Sequence, residues 1–148
     1  MPRVQLALNV TNVDSAVDFY SKLFKTEPAK RRPGYANFAI DEPPLKLVLI
    51  ENVTGGTLNH LGVEVETPAA VSDATIRLQG EGLSIEEQKA TSCCYALQDK
   101  VWVEDPDGAP WEVYTVLADA PQDASCCGDQ GATQAEACCP PTVAGSCC

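Results

Sequence analysis

The cysteines of this chain occur only as adjacent pairs, an arrangement suited to holding one soft ion between two sulfurs. Neighbouring cysteines cannot join distant parts of a fold through one ring, but two adjacent thiolates can bind the same thiophilic centre. In a reducing compartment, such thiols are better explained by metal or metalloid chemistry than by a disulfide scaffold. The pairs are Cys93-Cys94, Cys126-Cys127, Cys138-Cys139 and Cys147-Cys148.

Length and charge exclude several classes of function. The 148 residues suffice for one domain with a substantial core, and the formal net charge is −11. Because the basic residues are dispersed apart from those at 30–32, we expect no nucleic-acid partner. Residues 1–5 lead into alternating sequence without a secretion signal, and no run approaches the ~20 apolar residues of a membrane span. We therefore expect a cytoplasmic protein without a membrane partner.

The first third of the chain changes its apolar period repeatedly. Apolar and other residues alternate over 4–10, which predicts a strand whose two faces meet different environments. Helical spacing follows over 13–24, with Asp14 and Ser15 at positions favoured for the N-cap. Beyond two prolines, 35–40 and 46–51 have the pattern of strands. The segment thus predicts a β, α, then three-strand module over about 1–53.

The same pattern begins again 55 residues later. This shift places Gln5 on His60, Leu8 on Val63 and other apolar positions on one another. It predicts a strand over 58–66 and a helix over 68–80, followed by strands near 84–88, 94–104 and 110–117. The second module therefore covers about 57–118, with an Asp-Pro-Asp-Gly turn at 105–108 before its last strand.

From residue 119 the composition changes to that of a flexible tail. Residues 119–148 contain no aromatic residue, Lys or Arg, so they cannot bury enough apolar surface to offset their ordering entropy. The chain is thus predicted to be one domain over 1–118 with a cysteine-pair tail.

Three segments carry a resemblance to a known superfamily. Residues 4–10 with Phe19-Tyr20, residues 59–65 and residues 105–114 resemble the signatures of the vicinal oxygen chelate proteins, which include glyoxalases, bleomycin-resistance proteins and extradiol dioxygenases. The resemblance implies an α+β fold in which two βαβββ modules form a cupped mixed sheet around one metal site. Its implied ligands to a single divalent metal are Gln5, His60 and Glu112.

The fourth ligand of a typical member is missing. It would come from the last strand of the first module, which spans 46–50 and is expected to offer only apolar side chains. An amide, an imidazole and a carboxylate leave coordination positions open for water, oxygen or substrate. The lack of a fourth protein ligand favours a site of the non-haem iron type, in which three residues bind one face of the metal ion.

Three further segments, 31–40, 43–51 and 91–103, closely resemble the organoarsenical carbon–arsenic lyases, a subfamily grouped with cadmium-induced proteins. The resemblance implies that Cys93 and Cys94 capture a trivalent organoarsenical, such as methylarsenite or a reduced aromatic arsenical. Iron(II) and dioxygen would then cleave the carbon–arsenic bond and release arsenite. The tail cysteines could collect arsenic or another soft ion for the core site; these are Cys126, Cys127, Cys138, Cys139, Cys147 and Cys148.

Other interpretations remain open at the level of sequence. Gln5 and His60 could be ordinary hydrogen-bonded residues, Glu112 could face solvent, and Cys93-Cys94 could be small buried residues of a strand. The protein could be a thiol binder induced by cadmium or arsenic, or an enzyme acting on an ordinary carbon substrate. The choice among iron, manganese, nickel and zinc is open, as are the preferred arsenical and the oligomeric state.

Overall fold

The computed structural model describes residues 1–93 and 95–120, which form two helices and eight strands. The predicted α+β class is confirmed, because the order β, α, β, β, β occurs twice. The elements are β1 (Arg3–Val10), α1 (Val13–Phe24), β2 (Lys30–Arg32), β3 (Tyr35–Ile40), β4 (Leu45–Glu51), β5 (Thr57–Glu64), α2 (Pro68–Gly80), β6 (Ile85–Cys93), β7 (Ala96–Glu104) and β8 (Pro110–Asp119).

Contacts divide the chain into two compact units. The N-terminal unit comprises Arg3–Gly62, and the C-terminal unit comprises Met1–Pro2 together with the residues from Val63 onward. The boundary falls inside β5, so most of this strand groups with the first unit. His60 is therefore in the same unit as Gln5, although the sequence repeat assigns its strand to the second module.

The N-terminal unit is a mixed sheet covered on one face by α1. Its strands lie in the order β2-β3-β4-β1-β5, with β1 parallel to β4 and β3 antiparallel to β4. The core contains Val17 of the helix and Phe38 of β3, both almost fully buried. Truncating a buried phenylalanine such as Phe38 to alanine typically lowers the free energy of unfolding by about 3–5 kcal/mol. Packing in this core therefore stabilises the strands of the unit.

Helix α1 has the predicted bounds but a different N-cap. The cap is Asn12, whose side chain accepts a hydrogen bond from the Ser15 backbone N–H at 2.8 Å. Prediction of Asp14 or Ser15 as the cap was wrong, because both residues already lie inside the first helical turn.

The C-terminal unit packs α2 against three antiparallel strands in the order β8-β7-β6. Val71 and Leu78 of the helix and Val101 of β7 form its core cluster. The Thr67 side chain caps α2, and Pro68 occupies the first turn, where its missing N–H costs nothing. Strand β8 extends to Asp119, two residues further than predicted, and the Ala120 N–H then donates to the Tyr95 carbonyl at 2.9 Å.

Candidate functional site

Strand β1 has one polar and one apolar face. Gln5, Ala7 and Asn9 are buried, whereas the alternate residues Leu6 and Leu8 pack against the cluster beneath α1. Because successive side chains of a strand point to opposite faces, Gln5 lies on the face away from the helix. The predicted difference between the two faces of this strand is confirmed.

Gln5 and His60 are in direct contact. Their Nε2 atoms are 3.1 Å apart, and the residues are 4% and 5% exposed. The repeat therefore brings together two candidate ligands that are 55 residues apart in the chain. In this arrangement the amide nitrogen of Gln5 faces the imidazole, and its oxygen, the predicted metal ligand, points the other way. Rotation of the amide group by a half-turn about its last side-chain bond would bring the oxygen to the position of the nitrogen.

The other imidazole nitrogen of His60 contacts Asn59, which in turn contacts Asn9; neither asparagine was predicted to have a role. His60 Nδ1 lies 2.6 Å from Asn59 Oδ1, and Asn59 Nδ2 donates to Asn9 Oδ1 at 2.9 Å. The available signal was a second polar residue, Asn9, on the face of β1 that also carries Gln5. Its partner could not be inferred, since that depends on how β5 lies in the unit.

Strand β4 places Lys46, Val48 and Ile50 on this face. It pairs in parallel with β1, placing Lys46 beside Gln5 and Val48 beside Ala7. The expectation that only apolar side chains occur here is wrong at Lys46. A protonated lysine has no acceptor lone pair, so the predicted lack of a fourth ligand from this strand is consistent with the observed register.

Strand β3 adds a second polar pair to the same unit. Asn37 pairs with Val48 and Tyr35 with Ile50, so both lie on the sheet face of Gln5. The Asn37 amide nitrogen donates to the Tyr35 hydroxyl at 2.9 Å, and both residues are buried. Asn37 and Tyr35 thus add an amide and a phenol to the sheet face that carries Gln5.

In the C-terminal unit, Glu112 is buried against a lysine. Its Oε2 lies 3.0 Å from the Lys100 ammonium, and the two side chains are 4% and 1% exposed. The Lys100 ammonium is also 5.2 Å from the centre of the Trp102 ring, within cation–π range. The alternative in which Glu112 faces solvent is therefore wrong. Glu112 and Lys100 therefore form an ion pair that is almost fully buried.

The predicted turn before β8 fixes the position of Glu112. Asp105 Oδ1 accepts from the backbone N–H groups of Asp107 and Ala109 at 2.9 and 2.8 Å, and Gly108 has a φ of 83°. A positive φ of this size favours glycine. The antiparallel register that follows places Glu112 opposite Trp102.

Cys93 of the first cysteine pair lies at the end of β6. Cys93 is the last residue of β6 and pairs with Ala96, while Tyr95 has a φ of 66°. A bulge precedes the pair: Ala90, with a φ of 47°, donates its N–H to the buried Asp99 carboxylate at 2.8 Å. Cys94 lies outside the described residues, as do Cys126, Cys127, Cys138, Cys139, Cys147 and Cys148.

Residues 1–93 and 95–120 contain no group of three or more His, Cys, Asp or Glu side chains arranged to hold a metal ion. The predicted ligand set is of another kind, since one of its members is a glutamine. Within the same residues, no helix is long and apolar enough to cross a membrane.

Comparison with known proteins identifies the family. The model of the Glyoxalase/Bleomycin resistance protein/Dioxygenase superfamily matches residues 3–113. The chain belongs to this superfamily. The predicted resemblance is thereby confirmed, and the two βαβββ modules are those of this family.

The relatives carry both names that the sequence suggested. The chain is 63% identical over 121 residues to a cadmium-induced protein CadI of Mycobacterium tuberculosis, covering 81% of this chain and 80% of that protein. It is 54% identical over 151 residues to a trivalent organoarsenical cleaving enzyme of Thermomonospora curvata, covering 94% and 100%.

Solved structures support the fold. Homoprotocatechuate 2,3-dioxygenase from Arthrobacter globiformis matches with a TM-score of 0.57 at 20% identity, covering 79% of this chain and 36% of that one. The Mn(II)-bound glyoxalase from Novosphingobium aromaticivorans matches with a TM-score of 0.59 at 17% identity, covering 81% and 42%. At such identities the likeness concerns architecture, not chemistry.

Proposed function

We propose that this protein is an iron(II)- and dioxygen-dependent enzyme that cleaves the carbon–arsenic bond of trivalent organoarsenicals and releases arsenite. The observation that carries the proposal is the buried contact between Gln5 and His60, 3.1 Å apart. The contact places two of the three candidate ligands, an amide and an imidazole from different strands, within hydrogen-bonding distance on one buried face. The similarity to the organoarsenical cleaving enzyme of Thermomonospora curvata supports the substrate class.

We propose that Gln5, His60 and Glu112 hold one Fe(II) ion. The donor set fits: an imidazole, an amide oxygen and a carboxylate are hard to borderline ligands suited to iron, and three of them leave positions open. All three residues are at most 5% exposed. When bound, iron supplies the activation of dioxygen. Glu112 Oε2 also lies 3.0 Å from the Lys100 ammonium, so an iron ion would share this carboxylate with Lys100.

Cys93 and Cys94 capture the arsenical in this proposal. Trivalent arsenic is soft and thiophilic, so two adjacent thiolates can displace its two oxygen ligands. The carbon substituent stays attached to arsenic and is not held by the sulfurs. The pair fixes the arsenic end of the substrate. Because the substrate is then held in place, the following step becomes effectively unimolecular. Methylarsenite and reduced aromatic arsenicals both satisfy this chemistry.

A second candidate function is passive binding of soft ions in the cytoplasm. The similarity to a cadmium-induced protein favours it, and adjacent cysteines serve binding as well as catalysis. The buried Gln5, His60 and Glu112 side chains favour the enzyme, because a sequestering thiol protein has no need of them. Action on an ordinary carbon substrate leaves the Cys93-Cys94 pair without a role.

Product analysis under controlled oxygen tests the proposal. The protein is loaded anaerobically with Fe(II), mixed with methylarsenite and then exposed to dioxygen, and the arsenic species are separated. For methylarsenite, atoms and electrons balance if dioxygen converts the methyl carbon to formaldehyde and leaves arsenite. We expect equal amounts of arsenite formed and dioxygen consumed, only when iron is present. Recovery of intact methylarsenite on the protein would instead favour the binder.

A further inference from the structure

A chain of hydrogen bonds runs through the N-terminal unit from a backbone carbonyl to the imidazole of His60. The Thr57 hydroxyl donates to the Thr54 carbonyl at 2.6 Å, and Asn9 Nδ2 donates to Thr57 Oγ1 at 2.9 Å. Asn59 Nδ2 donates to Asn9 Oδ1 at 2.9 Å, and Asn59 Oδ1 lies 2.6 Å from His60 Nδ1. Four polar contacts thus connect the loop before β5 to the candidate metal ligand.

The direction of this chain is fixed at its origin. A backbone carbonyl can only accept a hydrogen bond, so the Thr57 hydroxyl must donate its single proton to the Thr54 carbonyl. Its oxygen then accepts from Asn9, which turns the Asn9 oxygen toward Asn59. The Asn59 nitrogen must in turn face Asn9. The Asn59 oxygen is left for His60 Nδ1, which must therefore carry a proton.

We propose that Asn59, oriented through Asn9 and Thr57, is a positioning residue that locks His60 as its Nδ1–H tautomer. The lone pair of the neutral ring is then at Nε2, the atom that faces Gln5 at 3.1 Å. A metal-binding histidine needs this lone pair, and its other N–H is normally held by a partner of this type. The metal-related part rests on the proposed function; the tautomer does not.

The loop that starts the chain is itself constrained. A Cβ at Gly55 would come within 2.7 Å of the Thr11 backbone nitrogen, so no side chain fits without movement of the backbone. Gly56 has a φ of 78°, and its N–H donates to the Asn9 carbonyl at 2.9 Å. These contacts hold the Thr54 carbonyl and Asn9 at fixed positions, as a directional chain requires.

The tautomer can be read directly because His60 is the only histidine in the chain. Long-range ¹H–¹⁵N correlation spectra of the metal-free, full-length protein, recorded where the ring is neutral, distinguish a protonated from an unprotonated ring nitrogen. We expect a protonated Nδ1 and an unprotonated Nε2. Observation of Nε2–H as the main form in the wild-type protein would overturn the proposal.

Substitutions at Asn59 separate the hydrogen bond from general packing. Asn59→Leu removes the acceptor and should transfer much of the population to the Nε2–H form, which free imidazole side chains prefer in water. Asn59→Asp keeps an oxygen facing Nδ1 and should retain Nδ1–H. An unchanged tautomer in folded Asn59→Leu would contradict the role, as would loss of Nδ1–H in Asn59→Asp.

A matched pair of threonine substitutions tests the direction of the chain. Thr57→Val removes the hydroxyl that orients Asn9, so both asparagine amides can reverse and a mixture of tautomers is expected. Thr54→Val also removes a hydroxyl, but the Thr54 side chain donates to Asn52 and only its carbonyl joins the chain. Thr54→Val should therefore behave as wild type. Identical spectra for Thr57→Val and wild type would refute the idea that the Thr54 carbonyl sets the direction of the hydrogen bonds through the Thr57 hydroxyl.

Iron titration of the same variants tests the consequence for the metal. Anaerobic competition for Fe(II) against a coloured chelator should show a loss of affinity of about 10–100-fold in Asn59→Leu and little loss in Asn59→Asp. Unchanged affinity in an Asn59→Leu protein whose tautomer has shifted would remove the positioning role. Wild-type protein that binds no Fe(II) but has the Nδ1–H tautomer would count against the proposed function and leave the tautomer assignment standing.

Discussion

The Lys100 ammonium lies 3.0 Å from the Glu112 carboxylate, and the two side chains are 1% and 4% exposed. They come from the neighbouring strands β7 and β8, whose register places Glu112 opposite Trp102 and Lys100 two residues away on the same face. Removing one partner of a buried ion pair is strongly destabilising, because the other charge is left uncompensated. If Glu112 also binds iron, the ion and Lys100 share one negative charge. Lysine substitution should therefore affect stability and iron binding together.

Removing the lysine charge should destabilise the metal-free protein. Lys100→Met leaves Glu112 buried without this cation, so we expect the free energy of unfolding to fall by about 3–5 kcal/mol. Urea denaturation of metal-free protein measures it, with the exposed Lys22→Met as the control. Fe(II) should restore part of the loss in Lys100→Met, because the ion supplies the missing positive charge. Equal stability of the two variants would refute the importance of the pair.

Removing both charges should be tolerated far better than removing one. In Lys100→Met/Glu112→Leu, no ion is left buried alone, and the double variant should be about as stable as the wild type. A double-mutant cycle from the same urea curves gives the coupling energy. Additive losses from the two single substitutions would mean that the ion pair has no net coupling.

Glu112→Ala should lose iron and carbon–arsenic cleavage together. The substitution removes the only anionic member of the proposed ligand set, while Glu104→Ala, at an exposed position of β7, should keep both properties. Iron content after anaerobic loading and gel filtration, followed by arsenite release, provides the two readings. Full iron occupancy in folded Glu112→Ala would exclude it as a ligand.

Sequence predicts the elements of this fold well where a periodic pattern covers many residues. The alternation in β1 and the helical spacing of α1 gave the right element types, and the 55-residue repeat brought Gln5 and His60 together. The N-cap of α1 was misassigned because Asn12, Asp14 and Ser15 all favour that position. The path of the backbone between β1 and α1 decides which of them is the N-cap, and this path cannot be predicted from the preferences of single residues.

The supporting contacts of the site could not be predicted in this way. The partner of Asn59 is Asn9, 50 residues earlier, and the contact depends on which strands are neighbours. Lys100 contacts Glu112 only in the observed register of β7 and β8, since a shift of one residue would turn it to the other face. The bulge at Ala90 has no signal in its own residue type.

Cys94→Ser should abolish turnover of trivalent organoarsenicals and leave iron binding intact. A single thiolate cannot form the two-sulfur chelate that fixes arsenic, and serine is a poor ligand for a soft centre. Arsenite release from methylarsenite and iron content are measured on the same preparation, with Cys147→Ser assayed at saturating methylarsenite as the control. Undiminished turnover in Cys94→Ser would remove the proposed capture role.

Removal of residues 121–148 should lower activity only when the arsenical is scarce. Truncation after Ala120 is preferable to an earlier end, since β8 reaches Asp119 and the Ala120 N–H donates to the Tyr95 carbonyl. If the tail cysteines collect arsenic and pass it to Cys93 and Cys94, kcat/KM falls while kcat at saturation is unchanged. A full-length protein with all the tail cysteines changed to serine should show the same loss, because delivery depends on the thiols and not on chain length. Equal kcat/KM in the truncated and full-length proteins would exclude delivery by the tail.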